Sequence, residues 1–215
     1  MTDFAAARTH MVDGQIRVSD VTDLRILWAF QNIERERFVP RDKCDLAYVD
    51  FDMPVAPGRC LMKPRVLAKL LQVAGIQSTD RVLDVGCGLG YSAAVLARVA
   101  AQVTALEENT ELAAQARAAL ANEKNVEAVS GRLADGYTAA APYDVIVMEG
   151  ATEIEPGPLL RQLSDRGRLV CILGGDASAK AMLYTRSGED VGGRPVFDAA
   201  AGVLPGFAKP PAFAF

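Results

Sequence analysis

The sequence contains one histidine, His10, among its 215 residues. A Ser-His-Asp or Cys-His nucleophile would depend on this one side chain, and a histidine-based metal site would lack partners. We therefore expect no metal centre, and we expect His10 to be a partly exposed helix residue.

Cysteine is also sparse, and its spacing does not match that of a metal site. The four residues are Cys44, Cys60, Cys87 and Cys171, and no two of them form a Cys-x-x-Cys pair. This pattern argues against a disulfide framework and against a zinc site.

Basic residues are not in excess, since 23 Lys and Arg face 27 Asp and Glu, giving a net charge of -4. A nucleic-acid partner has no support from this composition. The first residues lack the basic-then-apolar pattern of a signal peptide. No apolar run reaches the roughly 20 residues of a membrane span. The default expectation is a cytoplasmic protein without a membrane partner.

The chain is organised in two parts by its patterning. Residues 1–63 are predicted to form a helical extension and a substrate loop that pack on a core formed by residues 64–215. Within the extension, Leu24, Leu27, Trp28 and Ile33 approximate an apolar helical stripe. The stretch 47–59 contains two prolines and a glycine and is predicted to be an irregular loop. Pro64 suits the first turn of a helix, and Gly75 suits its C-terminal cap.

The core alternates short apolar strands with helical stretches. Strands are predicted at 81–85, 103–107, 126–130, 145–148 and 168–173, and helices at 91–101, 111–121 and 157–163. This alternation is typical of an α/β fold with a doubly wound, mostly parallel, Rossmann-like sheet. Segments 181–185 and 194–197 are predicted to form an edge hairpin, and the apolar tail 204–215 is predicted to pack back on the core.

A glycine-rich turn follows the first predicted strand of the core. It reads Asp84-Val85-Gly86-Cys87-Gly88-Leu89-Gly90. Such glycines let the backbone approach a ligand, and the following helix offers free N–H groups. The spacing does not match the Gly-x-Gly-x-x-Gly of dinucleotide sites, and a P-loop Gly-Lys-Ser/Thr is absent. A tight turn without a ligand is the structural alternative.

Carboxylates accompany this turn. Asp84 would repel a pyrophosphate but could accept hydrogen bonds from an ammonium group or a water. Glu107 ends the next predicted strand, where a carboxylate can accept from both hydroxyls of a ribose. Glu107 indicates a nucleoside, and Asp84 with the glycine spacing favours S-adenosylmethionine (SAM) over NAD. Cys87 and Glu108 complete the neighbourhood of the predicted cofactor site.

The segment 82–98 closely resembles the SAM-binding segment of protein-L-isoaspartate O-methyltransferases. The similarity continues in register through 11–17, 34–40, 47–50, 142–146 and 160–170. The resemblance implies a cytosolic enzyme that uses SAM to methylate isoaspartyl carboxylates in damaged proteins. A carboxylate is already ionised at neutral pH, so the reaction needs alignment of the reactants rather than a general base.

One segment departs from this family pattern. Family members usually carry Gly-Gln-Thr-Ile-Ser-x-Pro, whose hydroxyls help to hold the substrate carboxylate, and this chain reads Gly58-Arg59-Cys60-Leu61-Met62-Lys63-Pro64. The resemblance places Cys60, Leu61 and Met62 at the catalytic positions. A thioether cannot donate a hydrogen bond, and a thiol donates weakly. Loss of a bond to a charged group costs on the order of 1.5–3 kcal/mol, which would slow the family reaction considerably.

Further candidate ligands lie around this segment. Arg59 and Lys63 are either cations for an anionic substrate or solvated surface charges. Asp135 is the natural substitute for the aspartate of the family's Gly-Asp-Gly, which reaches toward the adenine. Glu149 follows an apolar strand at the mouth of the sheet, where it contacts substrate or caps the next segment.

The sequence is compatible with four functions. The first is an isoaspartyl carboxyl methyltransferase, and the second is a methyltransferase of the same fold for a small anionic substrate. The third is a SAM-binding protein without catalysis that acts as a sensor or partner subunit. The fourth, disfavoured by the glycine spacing and Asp84, is an NAD-dependent oxidoreductase.

Overall fold

A computed structural model describes residues 2–175 and 177–210. The strands are β1 (Met53–Ala56), β2 (Arg59–Leu61), β3 (Arg81–Val85), β4 (Gln102–Glu107), β5 (Val126–Ser130), β6 (Tyr143–Thr152), β7 (Leu163–Leu173), β8 (Lys180–Ser187) and β9 (Asp190–Asp198). The helices are α1 (Phe4–Met11), α2 (Leu24–Asn32), α3 (Pro64–Ala74), α4 (Tyr91–Leu96), α5 (Thr110–Ala119) and α6 (Gly157–Leu160).

The main sheet has seven strands in the order β5-β4-β3-β6-β7-β8-β9. Strands β3 to β7 pair in parallel, whereas β8 and β9 add an antiparallel hairpin at one edge. The chain builds outward from β3 in one direction and then returns to build outward from β6. The carboxyl ends of β3 and β6 therefore form the switch point at which such sheets bind ligands. The predicted doubly wound, mostly parallel fold and its edge hairpin are confirmed.

Both faces of the central strands are buried, because their side chains alternate between two apolar clusters. In β6, Val145 and Val147 point to one cluster, and Ile146 and Met148 point to the other. The first cluster also contains the buried residues of α2 and α3, and the second contains Leu204 and others from the C-terminal segment. This burial on two sides explains the nearly continuous apolar runs of the core strands.

The apolar stripe predicted for α2 is wrong in two of its members. Leu24 and Trp28 are 73% and 56% exposed, whereas Ile26 and Phe30 are buried. The helix starts directly after Asp23, whose side chain accepts from the Arg25 amide. With this start, the helix face that carries Ile26 is directed toward the core.

The prediction of an irregular loop over 47–59 is wrong in its second half. β1 and β2 form a small antiparallel sheet of their own, in which Met53 pairs with Leu61. Gly58 has φ +68, a left-handed conformation that favours glycine and lets the chain reverse here. The two prolines suggested a loop, but a two-stranded ribbon tolerates Pro54, since it has no second neighbour to which an amide must donate.

Other predicted elements are placed as expected, with shifted ends. Pro64 opens α3, and Gly75 caps it with φ +58. α4 and α6 are shorter than predicted. Leu204 and Phe207 of the tail are buried, while residues 211–215 lie outside the described part of the chain.

Three features of the described residues bear on the exclusions drawn from composition. No helix among them is long and apolar enough to cross a membrane. Within the same residues, no group of three or more His, Cys, Asp and Glu side chains is arranged to hold a metal ion. All four cysteines are free, and His10 is exposed in α1.

Candidate functional site

The glycine-rich turn lies at the carboxyl end of β3, where the sheet order reverses. Gly86, Gly88 and Gly90 have φ of +83, +57 and +98, a region that other residues rarely adopt. The amides of Gly86 and Cys87 both donate to the Leu106 carbonyl, at 2.8 and 3.2 Å. The turn is thus fixed against the end of β4. Its three glycines place no side chains between the backbone and the switch point.

Asp84 is fully buried beneath this turn. Its Oδ2 accepts from Ser92 Oγ at 2.6 Å, whereas its Oδ1 has no hydrogen-bond partner. The pKa of Asp84 is raised to about 7, mainly by burial and also by the charge of Glu107, while the Ser92 hydroxyl and Arg59 oppose the shift. A buried acceptor without a donor is costly unless something binds it, so Asp84 suits a ligand or water that carries donors.

Glu107 ends β4 with a fully buried carboxylate. Its Oε1 accepts from the amides of Glu108 and Asn109 at 3.0 Å, and its Oε2 accepts from the Gly88 amide at 2.9 Å. Three backbone donors therefore fix the carboxylate in one orientation at the ligand-binding edge of the sheet.

Arg59 occupies the space in front of these groups. Its Nη2 lies 2.8 Å from Glu107 Oε2 and donates to the Gly86 carbonyl at 2.7 Å, while its Nε lies 3.4 Å from Glu107 Oε1. Both ion-pair partners are almost completely buried. Arg59 is therefore not a solvated surface charge, and in this conformation its guanidinium is paired with Glu107 and Gly86.

The atypical segment lines a small cavity beside this ion pair. The cavity has a volume of about 20 Å³ and is lined by Asp52, Gly58, Arg59, Cys60, Met62, Glu149, Gly150, Ala201 and Gly202. Leu61 and Met62 are buried, and Cys60 is half-buried with a thiol pKa raised by burial. The structure thus brings Cys60, Met62 and Glu149 together, in a space no larger than one or two water molecules.

Glu149 is buried in β6 at the wall of this cavity. Its Oε1 has no hydrogen-bond partner. Burial first, and then the charge of Asp84, raises the pKa of Glu149 well above its usual value, although Arg35 and Arg59 oppose the shift. The raised pKa favours the neutral carboxylic acid form of Glu149, which can donate one hydrogen bond.

Three of the predicted site residues, Glu108, Lys63 and Asp135, make their contacts outside the cavity beside Arg59. Glu108 is exposed, and its side chain accepts from the Leu133 amide at 3.1 Å. Lys63 lies 3.7 Å from Asp52 and lines a separate cavity with Ser19, Arg65, Val66, Lys69, Phe197, Asp198, Ala199 and Ala200. Asp135 is exposed, 3.8 Å from Arg132, and lines a third cavity that contains no residue of the glycine turn. The structure does not bring Lys63 or Asp135 to the turn.

Several residues of the site were missed by the sequence reasoning. Arg35 is fully buried, with its guanidinium 4.6 Å above the ring of Tyr91, and Ser92 holds Asp84. Leu204 covers the turn, since a Cβ atom on Gly86 would lie 3.2 Å from Leu204 Cδ2. Arg35 stands in an alternating run of charges, which did not indicate a buried place. The tail that begins with Leu204 was predicted to pack back on the core, but its contact with the glycine-rich turn was not predicted.

A doubly wound sheet with a glycine-rich turn after β3 and a buried carboxylate after β4 defines a nucleoside-binding α/β fold of the methyltransferase class. The model of the protein-L-isoaspartate(D-aspartate) O-methyltransferase family matches residues 6–196. The chain belongs to this family, and the resemblance predicted from the sequence is confirmed.

Individual relatives agree with this assignment. A protein-L-isoaspartate O-methyltransferase of Methanoregula boonei is 39% identical over 183 residues, which are 84% of this chain and 84% of the relative. A second, protein-L-isoaspartate O-methyltransferase 1 of Rhodopseudomonas palustris, is 38% identical over 192 residues, 88% of this chain and 78% of the relative. Methyltransferases named for isoaspartyl residues are thus similar to the chain over most of its length.

Solved structures show the same fold. A protein-L-isoaspartate O-methyltransferase superposes with a TM-score of 0.79 at 24% identity, covering 93% of this chain and 66% of that longer protein. A Plasmodium falciparum protein described as a member of the same enzyme group, solved with S-adenosyl-L-homocysteine, gives a TM-score of 0.75 at 15% identity and covers 95% of this chain and 99% of that one. At these identities the likeness concerns the fold.

The family uses SAM, and the side chains of this site fit that ligand in their chemistry. Asp84 has an unpartnered buried oxygen for the amino-acid end, and a Cβ atom at Gly86 would crowd the space in front of the turn. Glu107 stands where a nucleoside ribose would be bound. Among the described residues, the cavity found beside Arg59 has a volume of about 20 Å³.

Proposed function

We propose that this chain is a SAM-dependent carboxyl methyltransferase that acts in the cytoplasm on isoaspartyl residues of damaged proteins. The observation that carries the proposal is the family match over residues 6–196, which includes the complete Asp84-to-Gly90 turn and Glu107. The fold and the buried carboxylates support the cofactor. The cavity formed with Cys60, Met62 and Glu149 is the proposed place of the substrate carboxylate.

On the cofactor side, the residues bind and orient. When bound, SAM supplies a methyl group that is already activated by its sulfonium. Asp84 accepts from the ammonium through Oδ1, the atom without a partner in this structure. Glu107, held by three backbone amides, accepts from the ribose hydroxyls. Alignment of this kind contributes up to about 7–11 kcal/mol in the most favourable model reactions.

On the substrate side, Glu149 compensates in part for the missing hydroxyls. A substrate carboxylate needs hydrogen-bond donors, and Met62 has none at its side chain. A protonated Glu149 provides one donor within the same cavity, and the Cys60 thiol provides a weaker one. A raised pKa is therefore useful here, because an ionised Glu149 would repel the substrate.

Transfer of labelled methyl from SAM to a peptide containing isoaspartate tests the proposal, with the same peptide containing ordinary aspartate as the control. We expect label in the isoaspartyl peptide alone. The double variant Cys60→Thr/Met62→Ser should be faster by roughly ten- to a hundred-fold, since each restored hydroxyl donates to a charged group. Cys44→Thr, which alters another half-buried cysteine outside the cavity, should leave the rate unchanged. Absence of label with wild type and double variant alike would contradict the proposal.

The buried Arg59–Glu107 pair favours a second candidate, a family member that has lost catalysis and serves as a binding subunit. This candidate predicts that the double variant transfers no methyl even when SAM is bound. Calorimetry with SAM, run beside the transfer assay, separates the two candidates, because binding without transfer supports only the second.

A further inference from the structure

We infer that Arg59 is an internal competitor for the nucleoside: its guanidinium fork occupies the acceptor positions on Glu107 that a ribose diol needs. The inference rests on the proposed function, because it concerns the same cofactor site. On this inference, the cofactor binds only after the Arg59 side chain has left Glu107.

The contacts of Glu107 divide into two sets. The amides of Gly88, Glu108 and Asn109 belong to the turn and to the start of α5, and they hold the carboxylate in place. Arg59 supplies the remaining donors, Nη2 to Oε2 at 2.8 Å and Nε to Oε1 at 3.4 Å. A guanidinium fork and a pair of adjacent hydroxyls both present two donors to one carboxylate. Removal of Arg59 therefore frees one acceptor position on each oxygen, in an orientation that the backbone maintains.

Arg59 also blocks the space above the glycines. A Cβ atom on Gly86 would lie 2.8 Å from Arg59 Nη2, so the guanidinium is in contact with the backbone that a ligand would approach. Leu204 closes the other side, since a Cβ atom on Gly150 would lie 2.7 Å from its Cδ2. The cavity of about 20 Å³ that remains has no room for a nucleoside.

The location of Arg59 allows its release without a change in the main sheet. It begins β2, and β1 and β2 pair only with each other among the described strands. Gly58, at the turn between them, has an open environment in which a Cβ atom would meet nothing within 4 Å. A movement of this hairpin, or of the Arg59 side chain alone, would expose Glu107. The apparent affinity for SAM is then the intrinsic affinity multiplied by the fraction of molecules in which Glu107 is exposed.

The test is isothermal calorimetry of SAM binding to wild type, Arg59→Gln and Arg59→Met. Gln is the residue that the family segment usually carries here, and Met has similar length without any donor. We expect both variants to bind at least about ten-fold more tightly than wild type, which corresponds to about 1.4 kcal/mol. Arg25→Gln, which removes a surface arginine paired with Asp23, should bind like wild type.

Melting temperatures give a second readout that does not depend on activity. Without SAM, both variants should melt below wild type, because Glu107 is left buried without its cation. Saturating SAM should then raise their melting temperatures more than that of wild type. If neither variant folds, Arg59→Lys keeps the charge but not the fork, and a several-fold gain in affinity is expected.

The possible outcomes separate this inference from the proposed function. Folded variants that bind SAM no better than wild type overturn the inference, as does a gain seen with Gln and not with Met, which would indicate a direct contact from Gln. An equal affinity of wild type and Arg59→Lys overturns it where only that variant folds. Tighter binding by the variants without any methyl transfer to the isoaspartyl peptide supports the inference and contradicts the proposed function.

Discussion

The buried guanidinium of Arg35 donates from Nη2 to the carbonyl of Met62 at 2.8 Å, and from Nε to the carbonyl of Ala47 at 2.7 Å. These carbonyls stand on either side of the β1–β2 hairpin that carries Arg59 and Cys60. One side chain thus holds both ends of the segment that borders the candidate site, and its ring contact with Tyr91 fixes it to α4.

We expect Arg35→Met to lower the free energy of unfolding by about 2–5 kcal/mol, because two buried carbonyls lose their charged donor. Urea unfolding measures the change. Arg37→Met is the matched control, since Arg37 is 60% exposed and pairs with Glu34 at 3.5 Å on the surface. Its effect should stay within about 0.5 kcal/mol. Equal losses in the two variants would show that Arg35 is not a structural clamp.

The stability of the protein should fall as the pH rises through the window in which Asp84 titrates. Burial raises the pKa of Asp84 from 3.8 to about 7, so between these values the folded state binds more protons than the unfolded state. The free energy of unfolding therefore decreases across this window, by an amount on the order of a few kcal/mol for a shift of this size. The raised pKa of Glu149 acts in the same direction.

Asp84→Asn should reduce this pH-dependent loss and stabilise the protein above the window, because a neutral amide needs no desolvation of charge. Unfolding by urea at a series of pH values gives the comparison, with the exposed Asp42→Asn as a surface control. Parallel profiles of wild type and Asp84→Asn between pH 3.8 and about 7 would contradict a raised pKa for Asp84 in the folded state.

Leu204 should contribute to stability as a core residue even though it lies in the C-terminal tail. It is buried against Gly86 and Gly150, and its amide donates to the Ala151 carbonyl at 2.9 Å. We expect Leu204→Ala to cost about 2–5 kcal/mol in thermal or urea unfolding. Leu24→Ala, at an exposed leucine of α2, should change stability by less than about 0.5 kcal/mol. If the two variants prove equally mild, the tail does not pack on the turn in solution.

Much of the fold could be predicted because its signals are local. The apolar strands, the glycine-rich turn and the carboxylate after β4 are each encoded by a few consecutive residues, and their alternation with helices predicts a doubly wound, mostly parallel sheet. Helix faces were less predictable. Trp28 is apolar but exposed, since the orientation of α2 is decided by packing and not by its own composition.

The closed state of the site could not be predicted, because it depends on pairs that are distant in the sequence. Arg59 and Glu107 are 48 positions apart, and Arg35 and Met62 are 27 apart. From the sequence alone, a charged residue next to a glycine is predicted to lie on the surface, because its buried partner is not apparent. The hairpin was missed for a related reason, since its prolines are tolerated only because the ribbon has no third strand.

A crystal structure of the wild-type protein grown with saturating S-adenosyl-L-homocysteine tests the central claim most directly. We expect the nucleoside against the Asp84-to-Gly90 turn, with its ribose hydroxyls donating to Glu107 and the Arg59 side chain withdrawn from that carboxylate. The same ligand bound elsewhere, or bound while the Arg59–Glu107 ion pair remains intact, would contradict both the assignment of the cofactor site and the role of Arg59.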